Sequence, residues 1–200
     1  MATIVVEGPI GVGKTSLSRY LASELGARMV LEVVEENPFL AEFYGEPERF
    51  AFQTQVFFLL SRFRQQMALA QDVLFHPHTV ADYLFEKDFL FASLNLRGSE
   101  WELYRELFEQ LEPRLPHPDL VVYLRADPEL LLARIAKRGR SFEHAIAPDY
   151  LARIGEAYDE LFRHAPYPVH VVEAGEVDYV ASEADRRALL GQLISLAQAA

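Results

Sequence analysis

An octapeptide near the N-terminus, GPIGVGKT from Gly8 to Thr15, constrains this chain more than any other feature. It fits the phosphate-loop pattern G-x-x-x-x-G-K-[ST] and stands where that pattern has meaning, between a strand-like run, TIVVEG, and a helical one, SLSRYLASEL. Glycines there let backbone amides turn inward around phosphate oxygens, and the helix that follows aims the positive end of its dipole at them. The candidate triphosphate-binding residues are therefore Gly8, Pro9, Ile10, Gly11, Val12, Gly13, Lys14, Thr15 and Ser16. Lys14 supplies a point charge for the terminal phosphates, and Thr15 offers a hydroxyl to magnesium.

The rest of the chain agrees with a strand that turns into a helix. Short apolar runs (TIVVEG, ARMVLEV, HTVAD, DLVVYLRA, VHVVEA) alternate with longer helical patterns. This is the signature of an α/β fold, a five-stranded parallel sheet covered on both faces, with its ligand beyond the carboxyl ends of the strands. The first helix should follow Lys14 and stop at Gly26. A very long helical region spans Pro47 to Asp72, with apolar side chains around more of its circumference than one sheet contact consumes; a partner subunit or burial under a lid would each account for the excess. Ser99 and Glu102 read as a capping box for a helix that carries Trp101, Tyr104, Phe108 and Leu111 as core. Asp127 and Pro128 open another helix and Gly139 closes it. Two amphipathic helices, DYLARIGEAYDELF and one from Ser182, complete a single domain of residues 1–200.

Charge narrows the function. With 30 acidic against 19 basic residues, a formal net charge of -11, attachment to nucleic acid or anionic lipid is not expected. Any anion site must be local. RIAKRGRSFE, residues 134–143, concentrates Arg134, Lys137, Arg138 and Arg140, with Arg134 and Arg138 on one helical face and Arg140 just past its end. Phosphoryl transfer moves anionic charge between donor and acceptor, and a lid of arginines over about 134–147 would stabilise it. The chain has no cysteine, which excludes disulfides and thiolate metal sites. His76, Pro77 and His78 read as loop rather than metal ligands. No run approaches a membrane span and no basic leader precedes an apolar stretch, so the expected location is the cytoplasm.

Glu32 and Asp82 end the second and third candidate strands, near the sheet edge that carries the phosphate loop. Carboxylates there can accept a hydroxyl proton or hold magnesium. The ordered set GPIGVGKTS, EVVEENPFL, FYGEPERFAFQTQVFFLLSRFR, ADYLFEKDFLFA and RIAKRGRSFE resembles the deoxyribonucleoside kinase family over nearly the full length, especially its bacterial deoxyguanosine and deoxyadenosine kinases.

That resemblance implies a P-loop kinase fold with a short arginine-rich lid, and ATP- and magnesium-dependent transfer to the 5'-hydroxyl of a purine deoxyribonucleoside in salvage, by a homodimer. It implies that Glu32 is the acid beside the 5'-hydroxyl and that Asp82 holds magnesium or serves as the alternative proton acceptor. Tyr44 and Glu143 match positions that hold the sugar 3'-hydroxyl, and Gln55 and Arg62 match positions that recognise the base. Arg134, Arg138 and Arg140 match lid arginines, and Val177, Asp178 and Tyr179 match a loop that cradles the donor adenine. Phe57, Phe58 and Phe85 would suit an aromatic pocket wall. One departure stands out: many members carry acid-Arg-Ser after the third strand, where this chain reads Asp82-Tyr83-Leu84, so another cation substitutes or the site works without one. The competing readings are a nucleoside monophosphate kinase of the thymidylate type, which needs a cationic site for the acceptor's phosphate, and a nucleotide-binding subunit that has lost catalysis.

Overall fold

The computed structural model describes residues 2–32, 36–72, 78–140 and 146–199. Strands β1 (Ala2–Glu7), β2 (Arg28–Val30), β3 (His78–Ala81), β4 (Leu120–Arg125) and β5 (Val169–Glu173) form one parallel sheet in the order β2-β3-β1-β4-β5. The order reverses direction around β1: the chain crosses to the edge strand β2, comes back inward to β3 beside β1, and then builds β4 and β5 on the other side. A crevice at the carboxyl ends of the strands follows from that reversal. In the two central strands, Ile4, Val5, Val6, Val121, Val122 and Leu124 are all buried, so both faces are covered, as the β-branched composition requires.

The helices are α1 (Lys14–Leu25), α2 (Leu40–Gly45), α3 (Pro47–Asp72), α4 (Glu86–Asn95), α5 (Gly98–Leu111), α6 (Pro128–Arg138), α7 (Pro148–Arg163) and α8 (Glu183–Ala199). Gly26 ends α1 in the left-handed conformation and Gly139 ends α6 in the same way. Asp127 stands at the N-cap of α6 with Pro128 at the first helical position. Expectation and structure part at α5, which begins at Gly98 after Arg97, with no side-chain cap. Ser99 lies inside the first turn, so the capping box does not form. The second strand is shorter than its apolar run: β2 stops at Val30, leaving Leu31 and Glu32 outside the ladder. Helices α2 and α4 were not anticipated, because each is short and follows a strand or turn closely. His78 opens β3, as the strand run HTVAD predicts, and so leaves the loop expected for His76-Pro77-His78; His76 and Pro77 lie outside the described residues.

Two cores result. One joins the sheet to α1, α6, α7 and α8 through side chains such as Leu17, Leu131, Tyr158 and Leu193. The other is a helical layer of α2, α3, α4 and α5 built on Phe43, Leu59, Phe85, Tyr104 and Phe108. This second core consumes most of the apolar excess of α3, and within it the Phe85 and Phe108 rings stack at 5.1 Å. Leu60 and Met67, seven positions apart and hence on one face of α3, stay exposed.

Candidate active site

Strand register explains why distant residues meet. Ala81 pairs with Val5 on one side and Val30 on the other, so Glu7, Glu32 and Asp82 all emerge at the same edge of the sheet. The phosphate loop leaves from that edge. Gly13 has φ 111° and caps α1, and a Cβ there would lie 2.4 Å from the Tyr179 hydroxyl, so only glycine fits. Tyr179 donates to the Val12 carbonyl at 3.2 Å, and Arg134 donates to the same carbonyl at 2.7 Å and to Ala174 O at 3.0 Å. The loop is thus propped from beneath by α6 and by the turn after β5. Arg134 belongs to this fixed frame, and Tyr179 is buried under the loop. Asp178 spends its carboxylate on the amides of Val180 and Ala181, and Val177 packs against the sheet core.

Lys14 folds over its own loop, donating to Gly8 O at 2.7 Å and Pro9 O at 3.2 Å. Burial, and next the charge of Lys87, lower its pKa against the opposing pull of Glu7, Glu32 and Asp82. Glu7 is fully buried and holds the loop's first turn: it accepts from Gly8 N, Leu84 N and the Tyr158 hydroxyl at 2.8, 2.9 and 3.0 Å. Asp82 accepts from the Thr15 hydroxyl and from Glu32 N, both at 2.6 Å. One carboxylate therefore ties the ends of β2 and β3 to the start of α1.

Glu32 is ion-paired at both of its carboxylate oxygens. Arg62 pairs with its Oε1, and Lys87 donates to its Oε2 at 2.7 Å. Burial alone would raise its pKa, but Lys87, Arg62 and Lys14 together overcome that and hold the carboxyl well below the usual carboxylate range. Arg62 also pairs with the buried Asp88 and lies over the Phe58 ring at 4.4 Å. Lys87 and Asp88 from the first turn of α4, and Glu7, were missed in the sequence. Their signal was present: adjacent opposite charges inside the aromatic run FEKDFLF, and an acid closing an otherwise apolar strand.

Two cavities meet here. The first, of about 150 Å³, is lined by Glu32, Tyr44, Gln55, Phe58, Arg62, Asp82 and Lys87 and reaches Ile10, Gly11, Lys14 and Thr15. The second, of about 300 Å³, is the cleft over Gly11, Gly13, Lys14, Thr15 and Ser16, faced by Arg134, Arg138 and Arg140. Gly11, Lys14, Thr15, Arg138 and Arg140 belong to both. Of the three phenylalanines expected in the pocket wall, only Phe58 lines the first cavity. Glu143 lies outside the described residues.

Residues 4–197 match the family model for deoxynucleoside kinases. The chain belongs to the deoxynucleoside kinase family. This kinase is 34% identical to the deoxyguanosine kinase of Bacillus subtilis over 188 residues, covering 91% of each chain. Against the deoxyguanosine kinase of Lactobacillus acidophilus it is also 34% identical, covering 97% of this chain and 90% of that one. A deoxyadenosine kinase from the same organism shares 30% identity, with 95% and 94% covered. Among solved structures, the deoxyadenosine kinase of M. mycoides with dCMP and dCDP as products superposes with a TM-score of 0.84 at 26% identity, covering 96% of this chain and 99% of that one. The same enzyme with bound dATP gives 0.82. This kinase has no helix, among its described residues, long and apolar enough to cross a membrane.

Oxygen donors suited to magnesium are present in the kinase. The Thr15 hydroxyl and the Asp82 carboxylate lie 2.6 Å apart beside the loop. Magnesium in phosphoryl-transfer sites takes one or two protein oxygens, with phosphates and water completing its octahedron, so this pair fits.

Proposed function

We propose that the chain transfers the γ-phosphate of ATP to the 5'-hydroxyl of a purine deoxyribonucleoside, yielding the monophosphate and ADP for cytoplasmic salvage. The observation that carries this reading is the junction of the two cavities: a glycine cradle with its lysine opens directly onto a pocket lined by the Glu32 and Asp82 carboxylates, Asp82 being bonded to the Thr15 hydroxyl of the loop. A neutral alcohol entering that pocket meets an ionised acid, the group needed to take its proton. The purine preference draws support from the deoxyguanosine and deoxyadenosine kinases that the chain resembles along its length.

In this reading the amides of Gly8 to Ser16 and the Lys14 ammonium hold the donor phosphates. Thr15 and Asp82 hold magnesium, which when bound neutralises charge on the β- and γ-phosphates. Arg138 and Arg140 close over the transferring group, with Arg134 fixing the loop beneath it. Tyr44 and Glu143 take the sugar 3'-hydroxyl, and Gln55 and Arg62 the edge of the base, for which an amide and a planar guanidinium are suited. Val177, Asp178 and Tyr179 form the turn beside the donor base, and two copies associate through α3. A radiolabelled-ATP screen over the four deoxynucleosides and their monophosphates tests the proposal. Label should appear on deoxyguanosine or deoxyadenosine; transfer only onto monophosphates, or binding of ATP with no transfer, would overturn it.

A further inference from the structure

Lys87 is a buried cation in the acceptor cavity to which the roles above assign nothing. It stands in the first turn of α4, its amide donating to Leu84 O at 3.3 Å, with its ammonium 5.8 Å from the centre of the Phe91 ring. Taking an ammonium out of water costs several kcal/mol unless a partner compensates. Glu32 compensates at 2.7 Å, but that contact occupies one of the three N–H donors of a lysine. The position usually expected to carry a cation after the third strand is here Tyr83, fully buried, and its hydroxyl has no hydrogen-bond partner among the described residues.

The placement gives the site two lysines with Glu32 between their fields. Lys14 sits at the donor end, on the phosphate loop; Lys87 lines the acceptor cavity and not the loop cleft, paired with Glu32 Oε2 while Arg62 holds Oε1. Their charges disfavour one another, and an anion arriving in the shared cavity relieves that repulsion. We propose that Lys87 is the acceptor-side phosphoryl contact: it orients Glu32 toward the sugar hydroxyl and then binds the phosphoryl group once that group is bonded to the 5'-oxygen. The inference rests on the kinase reading above. In the step, the 5'-oxygen gives an electron pair to the γ-phosphorus and its proton passes to Glu32. The bond from that phosphorus to the β-bridging oxygen breaks, and its electron pair leaves with ADP. The neutral acceptor becomes an anionic monophosphate beside Lys87, so the ammonium favours the transferred state over the bound nucleoside.

The test compares Lys87→Met, Lys87→Gln and Lys87→Arg with wild type, first confirming by circular dichroism which variants are folded. Steady-state rates with ATP and deoxyguanosine or deoxyadenosine are measured alongside calorimetric binding of each nucleoside, dGMP and dAMP. Loss of one oriented donor at a developing charge predicts a kcat lower by roughly 10² to 10³ in the neutral variants, with KM for the nucleoside little changed. Their Kd for the monophosphate should rise about tenfold or more while nucleoside affinity holds, and arginine should restore much of both. Equal weakening of nucleoside and monophosphate, or monophosphate affinity that does not change with charge at position 87, would sink the proposal. If a neutral variant does not fold, the other neutral variant and the arginine variant carry the comparison; if none folds with a neutral side chain, weaker binding of dGMP by Lys87→Arg than of deoxyguanosine, relative to wild type, counts against it. A wild-type protein that binds these ligands yet transfers nothing would defeat the kinase reading, while the binding measurements would still decide the role of Lys87.

Discussion

Glu32 shows how much one carboxylate depends on what surrounds it. Its depressed pKa keeps it ionised throughout the neutral range, ready to receive a proton only when the hydroxyl is being converted to an ester. Glu32→Gln should preserve ATP affinity and lower transfer by about 10² to 10⁴, the range for removing a general base, as measured by calorimetry and initial rates. The same substitution has a stability consequence with a definite sign. A carboxyl whose folded pKa lies below its unfolded value of about 4.3 contributes stability above that pH, and loses the contribution as the pH falls toward the folded value. Lys87, Arg62 and Lys14 hold it ionised while Asp82 accepts from its backbone amide, so the wild type should lose more unfolding free energy between about pH 5 and pH 3 than Glu32→Gln does in denaturant titrations. Glu32 and Asp82 were recognisable in the sequence because strand-end acids fall at the edge where the loop leaves. Lys87 and Glu7 were harder to assign: opposite charges inside an aromatic run and an acid closing an apolar strand mark buried polar groups, but not which distant residues pair with them.

Helix α6 combines two kinds of arginine on one face. Arg134 is bound to carbonyls of the phosphate loop and of the β5 exit, whereas Arg138 and Arg140 line both cavities. The two positions should respond differently to alanine. Arg138→Ala should lower turnover by roughly 10³ or more, within the range of arginine contacts to a transferring phosphoryl group. Arg134→Ala removes two charge-assisted hydrogen bonds to carbonyls, worth about 1.5–3 kcal/mol each, and should lower the thermal midpoint as well as activity. An unchanged thermal midpoint for Arg134→Ala would refute its role in bracing the loop. Periodicity and the Asp-Pro and Gly signals located α1, α3 and α6 closely, because glycine caps and first-turn prolines act within a single turn of chain. The same local reasoning placed a capping box at Ser99 that does not form, since Gly98 already enters the helix.

Across the molecule, a chain of net charge -11 maintains a basic cleft by bringing α3, α4 and α6 to one edge of the sheet. The helical layer also leaves Leu60 and Met67 of α3 and Leu103 of α5 exposed, on two helices that pack together. An apolar surface on adjacent helices suits a second copy of the chain, and sedimentation should find a dimer that Leu60→Asp with Met67→Asp converts to monomer; a monomeric wild type would remove the inference. By itself the sequence determined the parallel sheet, the phosphate loop and the long helix, because strand and helix periods and glycine chemistry are written in consecutive residues. Only the tertiary structure decided that Arg62 and Lys87 share the two oxygens of Glu32, and that Arg134 and Tyr179 brace the loop they were expected to cover or flank. Ion pairs and hydrogen bonds between residues tens of positions apart depend on strand register and helix packing, which no local pattern specifies.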